Sequence, residues 1–476
     1  MAIDLLIKNG TVITMDDERR VIEHCDVAVK DGKIIEINPN IKAQAEKVLD
    51  ASDCVVCPGL INGHSHVYQS LIEGLGYDMH FNPWNWRFLF PVVSKITPRD
   101  AQASASLAAL EMIKNGVTTI SDHWYLHTDM ENIYKVTDVF DQSGMRAQMV
   151  FGFLDETFAG VKSDSDEMTM VKSEDLLIDE ARKFYKTWHG KKRTTVALGP
   201  GSTEDINESL MLKVVALSKE LDVNLSTHVA GWIEINSYTI REFGERDLEH
   251  FHSLGLTGPK GVMFHAVWLS DREIEIMAKT GTKVIHCPIA NAYLGYGISP
   301  VSHFLSRGIC VGLGTDGAAS YTYDMLEVAR TAGMLQKASK LDAEAVTAEE
   351  LLEMLTINGA KVLGIDNEVG SLEIGKKADI IVVDFNKPHL LPVGRWLPKL
   401  VYSARGSDVK HTVVDGKVLM ESGRVVSMDE KKVLKDSLKA REDLIARAGS
   451  ETRALLSMPW PKSGPAWRSL TKRGVE

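Results

Sequence analysis

Cysteine is scarce in this chain, and its scarcity removes several explanations at once. Five cysteines (Cys25, Cys54, Cys57, Cys287, Cys310) are scattered over 476 residues, which is no disulfide framework. They are expected as reduced thiols, and the chain is expected in the cytoplasm. Cys54-Val55-Val56-Cys57 has CxxC spacing but no second pair and no histidine cluster beside it. It reads as thiols on a strand rather than as a zinc or redox site. Long hydrophobic runs are missing as well. The start, Met1 to Leu6, lacks the basic opening and apolar core of a signal peptide, and no run reaches the length of a membrane span. Positive charge is not in excess either: the formal net charge is -11, which argues against a nucleic-acid surface. Neither nucleic acid nor membrane is therefore expected as a partner. Short-period repeats and low-complexity tracts are absent. What is there, 44% hydrophobic and 25% charged residues, is ordinary for a globular protein. The length suits a large domain with a smaller appendage.

The rhythm of the chain divides it. Residues 3–56 alternate as short strands, Leu5 to Ile7, Val12-Ile13, Val27 to Val29 and Ile34-Ile35, split by Asn9-Gly10 and Asp31-Gly32. From Pro58 the pattern changes to apolar runs of strand length separated by amphipathic helices. Eight such runs are expected: Val55 to Ile61, Val117 to Ser121, Ala147 to Phe153, Thr194 to Gly199, Val223 to Thr227, Gly261 to Phe264, Lys283 to Ile285 and Cys310 to Thr315. Near-continuous apolar strands fit a parallel sheet covered by helices. Leu326 to Lys337 and Thr347 to Thr356 read as helices, the second opened by a capping box of Thr347 and Glu350. Strands return at Asp379 to Asp384 and at His411 to Val418, the latter turned by Asp415-Gly416. The expected fold is α/β: a (β/α)8 TIM-like barrel with a small β-sandwich built from both chain ends. The expected boundaries are 1–57 and 369–427 for the two β parts, 58–368 for the barrel, and 428–476 for a helical tail.

Five groups able to bind a metal end the apolar runs in order: His64 and His66, then His228, His265 and Asp316. His64 and His66 stand two apart, so on an extended strand both imidazoles share a face. Imidazoles with a carboxylate suit zinc or iron. Ligands spread from residue 64 to residue 316 meet only in a fold that gathers successive strand ends. A parallel barrel does this at the C-terminal face of its strands.

Three stretches carry a resemblance over almost the whole chain. Pro58-Gly59-Leu60-Ile61-Asn62-Gly63-His64-Ser65-His66, Gly314-Thr315-Asp316-Gly317-Ala318-Ala319-Ser320 and Val369-Gly370-Ser371-Leu372-Glu373-Ile374-Gly375-Lys376-Lys377-Ala378-Asp379 resemble the first-strand, eighth-strand and return motifs of the amidohydrolase superfamily, in its branch of s-triazine hydrolases and heterocycle deaminases. Asn291-Ala292-Tyr293-Leu294-Gly295 and Ala466-Trp467-Arg468-Ser469-Leu470 resemble the triazine hydrolases in particular. The resemblance implies a metal-dependent hydrolase. Two-metal barrels of this kind place a carboxylated Lys at the end of the fourth strand, but Val196 to Gly201 has none. One divalent ion is therefore expected, Zn2+ or alternatively Fe2+, held by His64, His66, His228 and Asp316. Such an ion lowers the pKa of a coordinated water toward ~7. Asp316 would take its proton, and His265 would orient it or polarise the substrate.

One departure matters. In deaminases of this branch the fifth-strand His opens an HxxE motif whose Glu shuttles a proton to a ring nitrogen. Here Gly231 holds that position. Glu234, three residues on, is the candidate replacement and is taken as catalytic. Gln69, Trp84, Trp86, His123 and Asn291 are candidates for substrate contact, with the two Trp side chains placed to flank a flat ring. The expected activity is displacement of an amino, alkylamino or halide group from a small nitrogen heterocycle of s-triazine, purine or pyrimidine type. Two alternatives stand beside it: hydrolysis of an amide, urea or carbamate, and a catalytically silent scaffold. The tail, with Trp460 and Trp467, makes a homo-oligomer the expected assembly.

Overall fold

The computed structural model describes residues 3–155 and 166–457. Two sheets organise it. The strands of the first come from both chain ends: β1 (Ile3–Ile13), β2 (Val21–Lys30), β3 (Lys33–Asn38), β4 (Ala45–Asp50) and β5 (Cys54–Pro58), then β14 (Ile380–Asp384), β15 (Val409–Val414), β16 (Lys417–Glu421) and β17 (Arg424–Val425). The second is parallel and holds eight strands: β6 (Leu60–Ser65), β7 (Val117–Trp124), β8 (Arg146–Phe153), β9 (Thr194–Pro200), β10 (Leu225–Val229), β11 (Gly261–His265), β12 (Lys283–His286) and β13 (Val311–Leu313). Helices lie between successive strands, among them Pro98–Lys114, Glu131–Ser143, Glu208–Leu221 and Met325–Lys340. This is the (β/α)8 arrangement.

The run read as one first barrel strand, Val55 to Ile61, is two strands. Gly59 divides them. Cys54–Pro58 pairs antiparallel with β14 in the small sheet, while Leu60 begins the barrel beside Val117. A Cβ on Gly59 would lie 2.1 Å from Thr118 Oγ1, so only glycine lets the chain cross between sheets there. The hairpin expected at Asp415-Gly416 joins β15 to β16. The capping box of Thr347 and Glu350 opens the helix Ala348–Leu355. All five cysteines are free.

The small sheet runs β17-β16-β15-β14-β5-β1-β2-β3, with β4 added on β1. Its two chain-end halves share one core, where Leu5, Val27 and Val56 meet Leu372, Ile380 and Val413. A buried bidentate ion pair ties it to the barrel. Arg146, at the start of β8, reaches Asp379 at 2.9 and 3.1 Å. Removing either partner would strand the other charge in a dry interface.

The barrel closes between its first and last strands. Ser65 bridges to Asp316, Asp316 N–H donates to His64 O at 3.0 Å, and the Asn62 side chain pairs with Thr315 at 2.8 and 3.0 Å. The two motifs most prominent in the sequence therefore meet at one seam. Residues 428–455, expected to be helical, contain the helix Glu430–Arg447 and most of Gly449–Ser457. The stretch from Ala466 to Leu470, and Trp460 with Trp467, lie outside the described residues. Among the described residues no helix is long and apolar enough to cross a membrane.

Candidate metal centre and its cavity

At the C-terminal ends of the barrel strands the donors converge. His64, His228, His265 and Asp316 each offer an atom within 4.8 Å of the others, and so do His64, His66, His123 and His228. Asp316 Oδ1 lies 3.4 Å from both His64 Nε2 and His66 Nε2, and Asp316 Oδ2 lies 3.9 Å from His265 Nε2. Two of these residues, His265 and Asp316, have positive φ (66° and 69°). Backbone strain of this kind in non-glycine residues concentrates at functional sites.

The outer ring nitrogens decide which face of each imidazole is free. His66 Nδ1–H donates to His123 O at 2.8 Å, His228 Nδ1–H donates to Gly201 O, and His265 Nδ1–H donates to Asn291 Oδ1 at 2.8 Å. A carbonyl can only accept, so each Nδ1 carries the proton and each Nε2 is left as a lone pair. His66 Nε2 and His228 Nε2 then face each other at 3.1 Å. Two lone pairs at that separation repel unless a cation lies between them. His64 adds two buried ring nitrogens without a hydrogen-bond partner. Burial pushes the pKa values of His64 and His66 well below the usual histidine range and that of His228 down to about 4, so all three are neutral, as metal ligands must be. The donor set fits a divalent transition metal.

Above the donors opens a cavity of about 450 Å³, within the usual range for a small-molecule site. Its floor is His66, His228, His265 and Asp316, and its roof is the segment from Phe81 to Phe90 after the first strand. Gln69, Trp84 and Trp86 are among its lining residues. Gln69 Oε1 also accepts from Ala318 N at 2.8 Å, which pins the loop after Asp316. Trp84 is 4% exposed and meets Phe88 edge-on at 5.9 Å; Trp86 meets Phe90 at 5.0 Å. The two indoles are thus both lining and packed.

Three of the expected residues stand off the cavity lining. Glu234 sits exposed in the first turn of the helix Ile233–Phe243 and does not line the cavity. The backbone after His228 turns into that helix within a few residues, so Glu234 lies outside the lining, though still close enough to act on the Tyr296 phenol. Asn291 is fully buried behind His265 and reaches the cavity only through that ring. His123 is fully buried under His228, their rings stacked 5.3 Å apart, and its Nε2–H donates to Gly199 O at 3.1 Å. It backs the donors instead of walling the cavity.

The sequence reading passed over Tyr125, Trp232, Tyr296, Ser202, Glu204 and Asp205, all of which line the cavity. All but Tyr296, which follows the short helix Pro288–Tyr293, lie in a loop just after a barrel strand, which is the available signal. Two carboxyl groups, Glu204 and Asp205, follow the fourth strand end. Burial raises the pKa of both, that of Asp205 to about 8.

Residues 55–419 match the family model described as Amidohydrolase family. The chain is 37% identical over 451 residues to a 5'-deoxyadenosine deaminase of Methanosarcina mazei, covering 94% of this chain and 100% of that one. It is 33% identical to a 5-methylthioadenosine/S-adenosylhomocysteine deaminase of Thermoanaerobacter pseudethanolicus, covering 93% and 100%. Among solved structures it is similar to a zinc-bound adenosine deaminase from Xanthomonas campestris, with a TM-score of 0.88, 26% identity and coverage of 94% and 99%. An atrazine chlorohydrolase from Arthrobacter aurescens TC1 shares the fold, with a TM-score of 0.84 at 23% identity over 92% and 100%.

Proposed function

The chain belongs to the amidohydrolase family, and from that premise we propose that it hydrolytically removes an amino group from a 6-aminopurine nucleoside altered at its 5' position. The relatives named for such substrates span nearly its whole length. The observation that carries the reading is the pair of imidazole lone pairs facing each other at 3.1 Å beneath a cavity roofed by tryptophan. The first calls for a cation and the second suits a flat aromatic ring.

One ion, Zn2+, held by His64, His66, His228 and Asp316, is the proposed complement. The zinc in the similar adenosine deaminase supports that choice. When bound, it supplies an activated water at neutral pH. The protein's own residues do the rest. Asp316 receives the proton of that water and returns it to the departing amine. His265, held by Asn291, presents its ring to the group under attack. Trp84 and Trp86 cover the ring plane, and Gln69 keeps the loop after Asp316 in place. Homo-oligomerisation and a cytoplasmic location remain parts of this reading.

Ammonia release from 5'-deoxyadenosine, 5'-methylthioadenosine and adenosine, beside a set of amino- and chloro-s-triazines and aryl ureas, tests it on metal-loaded protein. Deamination of the purines, lost in Asp316→Asn, is the expected result. Turnover of ureas alone would transfer the chain to amide-bond hydrolysis, and turnover of nothing would leave a silent scaffold.

A further inference from the structure

The family's proton shuttle has no residue at its usual place. Gly231 contributes no side chain, and Glu234 is outside the cavity. Among the described residues only three carboxyl groups line the cavity: Asp316, Glu204 and Asp205. Asp316 belongs to the donor cluster. Glu204 is partly exposed; burial raises its pKa, and the Arg241 guanidinium partly offsets that rise. Asp205 is buried, and no basic side chain is among the main influences on it. The groups that face it are the Ser202 hydroxyl, the carboxyls of Glu204 and Asp155, and the phenols of Tyr125 and Tyr238.

A second glycine makes room for it. A Cβ on Gly201 would lie 2.0 Å from Asp205 Oδ2. The carboxyl therefore folds back into space that any other residue at 201 would fill. Gly201 O is also the acceptor for His228 Nδ1–H. This places the carboxyl at the strand end that orients a floor histidine, yet outside both donor clusters.

We propose that Asp205, delivered by the turn after the fourth barrel strand, is the catalytic acid that replaces the missing fifth-strand glutamate. The assignment rests on the deaminase reading above. Asp205 donates its proton to the ring nitrogen next to the carbon under attack, as the water oxygen bonds to that carbon and Asp316 takes one water proton. The carbon–nitrogen bond to the amine then breaks. The amine leaves as ammonia with the proton from Asp316, the new hydroxyl returns its proton to Asp205, and the ring keeps a carbonyl and an N–H. Water and the aminopurine are consumed; the oxopurine and ammonia are formed. Burial raises the pKa of Asp205, the direction a proton donor needs.

The test is a two-site cycle assayed on 5'-deoxyadenosine with the zinc-loaded enzyme. Asp205→Asn is expected to lower kcat by roughly 10²–10⁴, the usual span for loss of a proton-transfer group, with metal content and melting temperature unchanged. Gly231→Glu adds a carboxyl where a Cβ meets Tyr296 and His265 at ordinary contact distances of 3.5 and 3.6 Å. In the Asp205→Asn background it is expected to restore kcat at least about tenfold, because either carboxyl can serve the same ring nitrogen. A structural role for Asp205 would not be rescued from another strand. Full activity in Asp205→Asn, a matching loss of metal, or no rescue by Gly231→Glu overturns the assignment while leaving the deaminase reading intact. An unmodified enzyme inactive on every heterocycle overturns both.

Discussion

The floor and the roof of the cavity are built by different means. The floor is made of strand ends, and its three histidines are each oriented by a second group: His66 by the His123 carbonyl, His228 by that of Gly201, His265 by Asn291. The roof is one connecting segment, Phe81 to Phe90, whose aromatic side chains hold one another edge-on. The floor is specified by hydrogen bonds with fixed directions, the roof by contact area. On the proposed function the floor, with little tolerance for change, sets the chemistry, and the roof, which can be altered gradually, sets what is bound.

The contrast can be broken most severely at the floor. Asp316→Asn keeps the shape but removes the carboxylate, and turnover is expected to fall by about 10³, read as kcat with the metal content measured alongside. Asn291→Ala removes only the acceptor behind His265. It is expected to cost about 10- to 100-fold in activity, with Asn291→Asp recovering much of the loss; an inert Asn291→Ala would mean that the His265 ring needs no support. At the roof, Trp84→Ala is expected to raise KM about tenfold, the loss of one ring stack, while kcat changes less than about threefold. A fall in kcat alone would place Trp84 with the floor. The smallest effect concerns acid. Burial holds the pKa of His286, under the floor, down to about 3. The unfolded chain takes up a proton near pH ~6.5, so this histidine's contribution is complete above that pH and is lost as pH falls from there toward 3. The melting-temperature gap between metal-free protein and His286→Gln is therefore expected to narrow between pH 7 and pH 5. A constant gap would mean that His286 is protonated in the folded state.

Legibility followed the same division. His64, His66, His228, His265 and Asp316 were readable because each ends an apolar run, and strand ends of a parallel barrel must converge. The place of Glu234 was not legible, because spacing after His228 says nothing about where the chain turns into a helix. Asn291 and His123 were recognised as part of the region, but which side of a buried ring faces the cavity is decided by packing across strands. Asp205 escaped because its use depends on the gap left by Gly201, a relation four residues apart that only the folded turn reveals. In the small sheet, alternation and turn residues announced the strands, while the break at Gly59 was hidden inside one apolar run.

The seam between the first and eighth barrel strands has a consequence for biosynthesis. His64 emerges from the ribosome 252 residues before Asp316, the difference between their positions. A nascent chain that stops short of the eighth strand holds imidazoles without the anionic ligand and without the partner that closes the sheet at Ser65. The carboxylate is therefore the last of the five converging groups to be made, and the five cannot meet until the strand that closes the barrel exists.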